Sequence, residues 1–257
     1  MLLAIDMGNT NLTLGLYEGN KLGARWRLST DMERMADEYG LQILGVLQHS
    51  GCSLRQLDGV ILSSVVPQVT SRIIQACRQY LEQEPMVISS EMNTGLVIRY
   101  DNPAAVGADR IADAVAVKEL YGCPAIVVDF GTATTFNAIN RNSEYLGGAI
   151  APGMMIALEA LVQRTSKLPT VDLTKPPSAI GGNTIHAIQS GILFGYAGMV
   201  EGMVARFKQI IGEDARVIAT GGLSEVIATA TDAFTDIAPW LTLDGMRILW
   251  EKNQPNG

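Results

Sequence analysis

The sequence is short of the residues on which metal centres and nucleophilic triads are commonly built. Its 257 residues hold three cysteines and two histidines. Cys52, Cys77 and Cys123 are odd in number and lack the paired spacing of a zinc site, so free thiols in a reducing compartment are expected. A zinc centre or a Ser-His-Asp triad would have to use His49 or His186, and neither sits in a supporting motif. No apolar run reaches the length of a membrane span. The run before Asp6 is short, with no basic segment ahead of it, which reads against a secretory leader. Positive charge is also scarce: 19 Lys and Arg against 26 Asp and Glu leave a net charge of −7. That balance argues against nucleic acid as a partner. The Walker A pattern G-x-x-x-x-G-K is absent, which excludes a P-loop enzyme. A soluble cytoplasmic protein without a membrane partner is expected.

What the chain does have is a duplicated phrase. The first copy is Leu2-Leu3-Ala4-Ile5-Asp6-Met7-Gly8-Asn9-Thr10-Asn11, and the second is Ala125-Ile126-Val127-Val128-Asp129-Phe130-Gly131-Thr132-Ala133-Thr134-Thr135. Each is an apolar run of strand length, then Asp-x-Gly, then small hydroxyl or amide residues, then a second alternating run. Each reads as strand, tight turn, strand. The glycine permits a turn whose backbone N–H groups point outward. Those groups, with threonine hydroxyls, can hold phosphate oxygens. The aspartate at the strand end is placed to meet a hydrated cation on those phosphates. One copy would be an ordinary hairpin turn. Two copies at matching places in two halves point to a clamp for a nucleotide tail.

The rest of the chain fits two similar halves, 1–115 and 116–257. The apolar fraction of 47% supports a sizeable core. The first half reads as three strands, a helix over 35–48, a strand over 58–66, a helix opened by Pro67 and a short strand at 86–88. A strand-like stretch, Leu96 to Tyr100, leads into a polar loop ending in Gly107-Ala108-Asp109-Arg110, then a helix over 111–121. The second half repeats the pattern, with strands at 125–129, 133–139, 144–150 and 217–220. Its helices are read at 154–164, over 184–211, from Glu225, and over 243–252. A long loop over 167–182 is more often functional than filler. Gly191, Gly195, Gly198 and Gly202 share overlapping faces of the long helix, where another backbone can approach. Each half is expected to be a mixed five-stranded sheet flanked by helices, an α/β fold.

The paired Asp-x-Gly hairpins and Ala219-Thr220-Gly221-Gly222 resemble the acetate and sugar kinase, Hsp70 and actin superfamily, whose two domains are ribonuclease H-like (actin-like ATPase) folds. Within it the chain resembles the type III pantothenate kinases. The likeness runs through Asp6 to Asn11, Ser63-Ser64-Val65-Val66-Pro67, Asn102-Pro103 with Gly107-Ala108-Asp109-Arg110, Asp129 to Thr135, Gly147 to Gly153, and Gly181-Gly182-Asn183-Thr184. It implies transfer of the γ-phosphoryl group of ATP to the primary hydroxyl of pantothenate. It also implies a homodimer, a divalent cation (Mg²⁺) and a monovalent cation, K⁺ or NH₄⁺. Asp6, Met7, Gly8, Asn9, Thr10, Asn11, Leu12 and Thr13 match the first phosphate loop, with Asp6 facing the divalent ion through water, and Thr132 matches a phosphate contact in the second. Asp129 matches the monovalent-cation ligand. Tyr100, Gly107, Ala108, Asp109 and Arg110 match the pantothenate-binding stretch, with Asp109 as proton acceptor, and Thr184 matches a further substrate contact.

Read as residues alone, several of these have plainer roles. Asp109 before an apolar helix is a common N-cap, although Ala112 offers no capping box. Arg110 suits a salt bridge or a substrate carboxylate. Tyr100 is a half-buried aromatic at a strand end, and Thr184 an N-cap for the long helix. Asp129-Phe130-Gly131 spells the protein-kinase triplet, but no His-Arg-Asp loop accompanies it. Two other functions stay open at this point: another small-molecule kinase of the superfamily, and a non-catalytic transcriptional accessory relative.

Overall fold

Alternating apolar residues set the first sheet. The structure, a computed structural model, describes residues 1–254; positions 255–257 of the expected second half lie outside the described residues. Strand β1 (Leu2–Met7) buries Leu3, Ile5 and Met7 on one face. It pairs antiparallel with β2 (Asn11–Glu18), which pairs antiparallel with β3 (Lys21–Ser29). After helix α1 (Ala36–His49), strand β4 (Gly59–Ser64) runs parallel to β1 on its other side. Helix α2 (Pro67–Ala76) follows, with proline at its first turn where no N–H is needed. Strand β5 (Met86–Val87) completes the order β3-β2-β1-β4-β5. Tyr39, Ile43 and Leu47 of α1 and Val69 and Ile73 of α2 pack on the Leu3–Ile5–Met7 face.

The chain then adds a short strand, β6 (Val97–Ile98), and helix α3 (Ala108–Leu120). Strands β7 (Ala125–Phe130), β8 (Ala133–Ile139) and β9 (Glu144–Pro152) repeat the β1-β2-β3 meander. Helix α4 (Met154–Gln163), the long α5 (Thr184–Ile211), strand β10 (Arg216–Thr220), the single turn α6 (Ser224–Ile227) and β11 (Asp236–Ile237) follow. β10 is parallel to β7, and β11 to β10. The order β9-β8-β7-β10-β11 therefore copies that of the first sheet strand for strand. The second sheet is not five-stranded as expected: β6 adds a sixth strand, parallel to β9 at its free edge. Phe130, Phe136, Met154, Leu158, Leu193 and Val200 are among the residues that bury the sheet face under α4 and α5.

The last helix, α7 (Leu241–Lys252), belongs with the first sheet. A Cβ at Gly15 would lie 2.8 Å from Leu243, and one at Gly245 would lie 1.9 Å from the carbonyl oxygen of Ala112 on α3. Thr242 Oγ1 donates to Asp113 Oδ1 of α3 at 2.7 Å, and Tyr17 OH donates to Asp244 Oδ1 at 2.7 Å. The two compact units are thus not contiguous halves. The first comprises residues up to Gly95, Asp101–Ala116 and the segment from Thr242, and the second comprises Leu96–Tyr100 and Val117–Leu241. Sheet hydrogen bonding takes β6 into the second unit, and helix packing takes α7 into the first.

Candidate functional site

In the first unit the chemistry gathers on the sheet face away from the α1–α2 core. Because Leu3, Ile5 and Met7 point into that core, Asp6 points to the other face. Its register neighbours are Thr13 on β2 and Ser63 on β4. Ser63 is fully buried and donates its hydroxyl to Asp6 Oδ1 at 2.8 Å. Asp109 lies near enough to raise the Asp6 pKa by charge repulsion. Burial is the larger cause, and the Ser63 bond opposes both; the Asp6 carboxyl is pushed up to about 7. Asp109 is also raised, first by burial, against hydrogen bonds from backbone N–H groups and the charge of Arg110. Two acids that disfavour each other's charge make a place that a cation would relieve.

Helix α3 begins at Ala108, three residues earlier than the apolar spacing indicates. Asp109 is therefore inside the first turn and is not the N-cap. Its Oδ1 accepts the N–H of Arg110 at 2.7 Å, and the helix N-terminus favours its negative form. Gly107 explains how the carboxylate fits: a Cβ there would sit 2.4 Å from Asp109 Oδ1. Ala108 and Arg110 are buried beside it.

The first hairpin presents Asn9, Thr10 and Asn11 to solvent, with Gly8 N–H donating to Asn11 O at 2.9 Å. Met7 and Leu12 are fully buried as whole residues, backbone included, and belong to the core rather than to the exposed tip. Glycine at position 8 is not required by a positive φ; a Cβ there would lie 3.2 Å from Asn11 O.

In the second unit the same phase puts Asp129 on the face opposite the Val128 and Phe130 core, flanked in register by Thr135 on β8 and Thr220 on β10. Its turn is one residue tighter, Gly131 N–H donating to Ala133 O at 3.0 Å with Thr132 exposed at the tip. Gly153 backs this tip: its N–H donates to Thr132 O at 3.0 Å, and a Cβ there would meet that oxygen at 2.2 Å. Gly221 has φ of +87°, and a Cβ on it would lie 2.3 Å from Asp129 Oδ1. Tyr100 packs its ring over Gly147 and tilts against Tyr145 at 6.5 Å. Tyr145 OH donates to Asn137 Oδ1 at 2.9 Å, and Asn137 Nδ2 to Thr135 Oγ1 at 3.2 Å. Thr184 is the first residue of α5 and exposed; the cap is Asn183, whose side chain accepts from His186 N at 2.9 Å. Thr184, Asn183 and Gly191 line a cleft of about 610 Å³ with Leu161, Leu168 and Ile188.

Sequence reasoning assigns no role to Ser63, Thr220, Asn137 or Tyr145. Among the described residues, no three His, Cys, Asp or Glu side chains gather around one possible ion position. Kinase sites commonly hold Mg²⁺ with one or two carboxylates plus the substrate's phosphates. The Asp6–Asp109 neighbourhood suits that arrangement.

Residues 2–206 match the family model described as type III pantothenate kinase. A protein of that description from Moorella thermoacetica is 49% identical over 98% of this chain and 100% of its own length. Among solved structures, a Baf family transcriptional activator of Campylobacter jejuni is similar with a TM-score of 0.62 at 21% identity, covering 99% of this chain and 100% of its own. Component A of the (R)-2-hydroxyglutaryl-CoA dehydratase of Acidaminococcus fermentans gives 0.57 at 13% identity, over 97% and 96%. At these identities the structural likeness speaks for the fold alone.

The pKa shift of Asp6 has a stability consequence. A carboxyl whose folded pKa is raised stabilises the fold at low pH, and that stability is lost as pH rises from the unfolded value near 4 to about 7. Without divalent cation, Asp6→Asn should therefore be the more stable form at pH 8, by on the order of a few kcal/mol, with the gap closing towards pH 4. Denaturant melts across this range check it; equal pH slopes for the two proteins would contradict it.

Proposed function

The chain belongs to the type III pantothenate kinase family and so phosphorylates pantothenate in coenzyme A biosynthesis, and we propose that Asp109 accepts the proton of the attacking hydroxyl. The hydroxyl oxygen of pantothenate bonds to the γ-phosphorus of ATP, the bond to the β–γ bridging oxygen breaks, and ADP and 4′-phosphopantothenate result. Such transfers ask the protein mainly for positioning and charge neutralisation. The observation that carries the reading is that Asp109, in the first turn of α3, lies near enough to Asp6 to act on its charge, with Gly107 leaving the Asp109 carboxylate its space.

The family uses ATP and a divalent metal. In our reading the metal is Mg²⁺, held by Asp6 through water, where it would neutralise phosphate charge. Gly8, Asn9, Thr10, Asn11 and Thr13 supply phosphate contacts, as does Thr132, while the buried Met7 and Leu12 hold the loop in place. Arg110 and Tyr100, with Gly107, Ala108 and Thr184, are assigned to pantothenate, Arg110 through the carboxylate it suits. Asp129 is assigned to K⁺ or NH₄⁺. The three free cysteines suit the cytoplasm as the place of work. A homodimer through α5 is supported by its bare face: a Cβ added at Gly191, Gly195 or Gly198 would meet nothing within 4 Å.

Three measurements test these assignments. Asp109→Asn should lower kcat by about 10²–10⁴-fold, with little change in melting temperature or in KM for ATP. A folded Asn variant with wild-type kcat would end the catalytic assignment. Activity should require K⁺ or NH₄⁺; full turnover with tetramethylammonium as the sole monovalent cation would remove Asp129 from its role. Sedimentation at assay concentration should give a dimer, and a fully active 27.6 kDa monomer would overturn that.

A further inference from the structure

The two units place a hydroxyl residue at the same point beside each aspartate, but use it differently. Ser63 on β4 is in register with Asp6 on β1, and Thr220 on β10 is in register with Asp129 on β7. Both pairs are parallel neighbours, so in each the two side chains leave the same face of the sheet. Ser63 gives its hydroxyl to Asp6 at 2.8 Å. Thr220 is 1% exposed, and its Oγ1 has no hydrogen-bond partner. Buried hydroxyls are nearly always satisfied, and an orphan one calls for a missing water or ion.

Two observations say which. A second orphan hydroxyl, Thr134, is in register with Phe130 on the core side, away from any carboxylate position on that face. Thr220 instead shares its face with Asp129, whose Oδ1 lies over Gly221, so close that a Cβ there would be 2.3 Å away. The hydroxyl oxygen can ligate K⁺ and can accept a hydrogen bond from NH₄⁺.

We infer that Thr220 Oγ1 is a ligand of the monovalent cation assigned to Asp129. This rests on the reading of Asp129 given above and adds a residue to it. The Thr220 hydroxyl is then costly to the ion-free protein and useful to the loaded one. Replacing it by an isosteric methyl should have opposite effects in the two states.

The test is thermal melting of the full chain with ATP and without pantothenate, in KCl and in tetramethylammonium chloride of equal ionic strength. The wild type should melt several degrees higher in K⁺, as binding to the folded state requires. Thr220→Val should melt about 1–4 °C above wild type in tetramethylammonium and lose most of the K⁺ gain. Thr220→Ser should keep the gain, and Thr220→Ala, read if the Val protein does not fold, should lose it. Asp129→Asn is the control. A gain lost in Asp129→Asn but kept without the Thr220 hydroxyl would overturn the inference, assigning the orphan hydroxyl to water, and leave the Asp129 reading standing. No K⁺ gain in the wild type would overturn both.

Discussion

A carboxylate at the end of a strand reaches a ligand only if the strand's phase is held, and here the core holds it. Leu3, Ile5 and Met7 on one strand, and Ile126, Val128 and Phe130 on the other, are buried on the helix-covered side. A slip of one residue would turn these six apolar side chains out and drive each aspartate into the core. Burying an unpaired carboxylate there would cost several kcal/mol. Hydrophobic burial far from the chemistry thus fixes where Asp6 and Asp129 point. The same register delivers the hydroxyl neighbours, Thr13 and Ser63 in one unit and Thr135 and Thr220 in the other.

The repeat is close in topology and divergent in detail. In the first unit the strand after the aspartate's neighbour runs on through Val65 and Val66 into α2, and Ser63 is spent on Asp6. In the second, Thr220 is followed by Gly221 in a left-handed conformation, which folds the backbone against Asp129. The first aspartate has its pKa pushed up chiefly by burial and further by the charge of its carboxyl neighbour Asp109. Similar scaffolds therefore present two differently prepared carboxylates, one beside an acid and the other under a glycine turn.

Local features of the chain are legible in its sequence, and cross-chain ones are not. The Asp-x-Gly strands, the helix after Pro67 and the long helix from Thr184 follow from periodicity within one segment, and the structure has them close to the expected residues. The start of α3 escapes the pattern because Ala108-Asp109-Arg110 carries charge where an apolar stripe is sought, so the first turn looks like loop. Asn183, not Thr184, caps α5, since two capping residues stand side by side and only geometry selects one. The sixth strand, the return of α7 and the hydroxyls beside the aspartates are set by pairing between segments distant in sequence, which no single stretch encodes.

The place of α7 bears on how such a chain is made. This helix comes after the whole of the second unit, yet it covers part of the first, pressing Gly245 against Ala112 and Leu243 against Gly15. During synthesis from the N-terminus, β1 to β5 and the start of α3 leave the ribosome early, while their covering helix is still untranslated. The nascent first unit must wait with one flank of its sheet bare, the flank that bears Asp6, until the ribosome has finished the second. Domain-by-domain folding in order of synthesis is closed to it. The unit that emerges first is the one completed last.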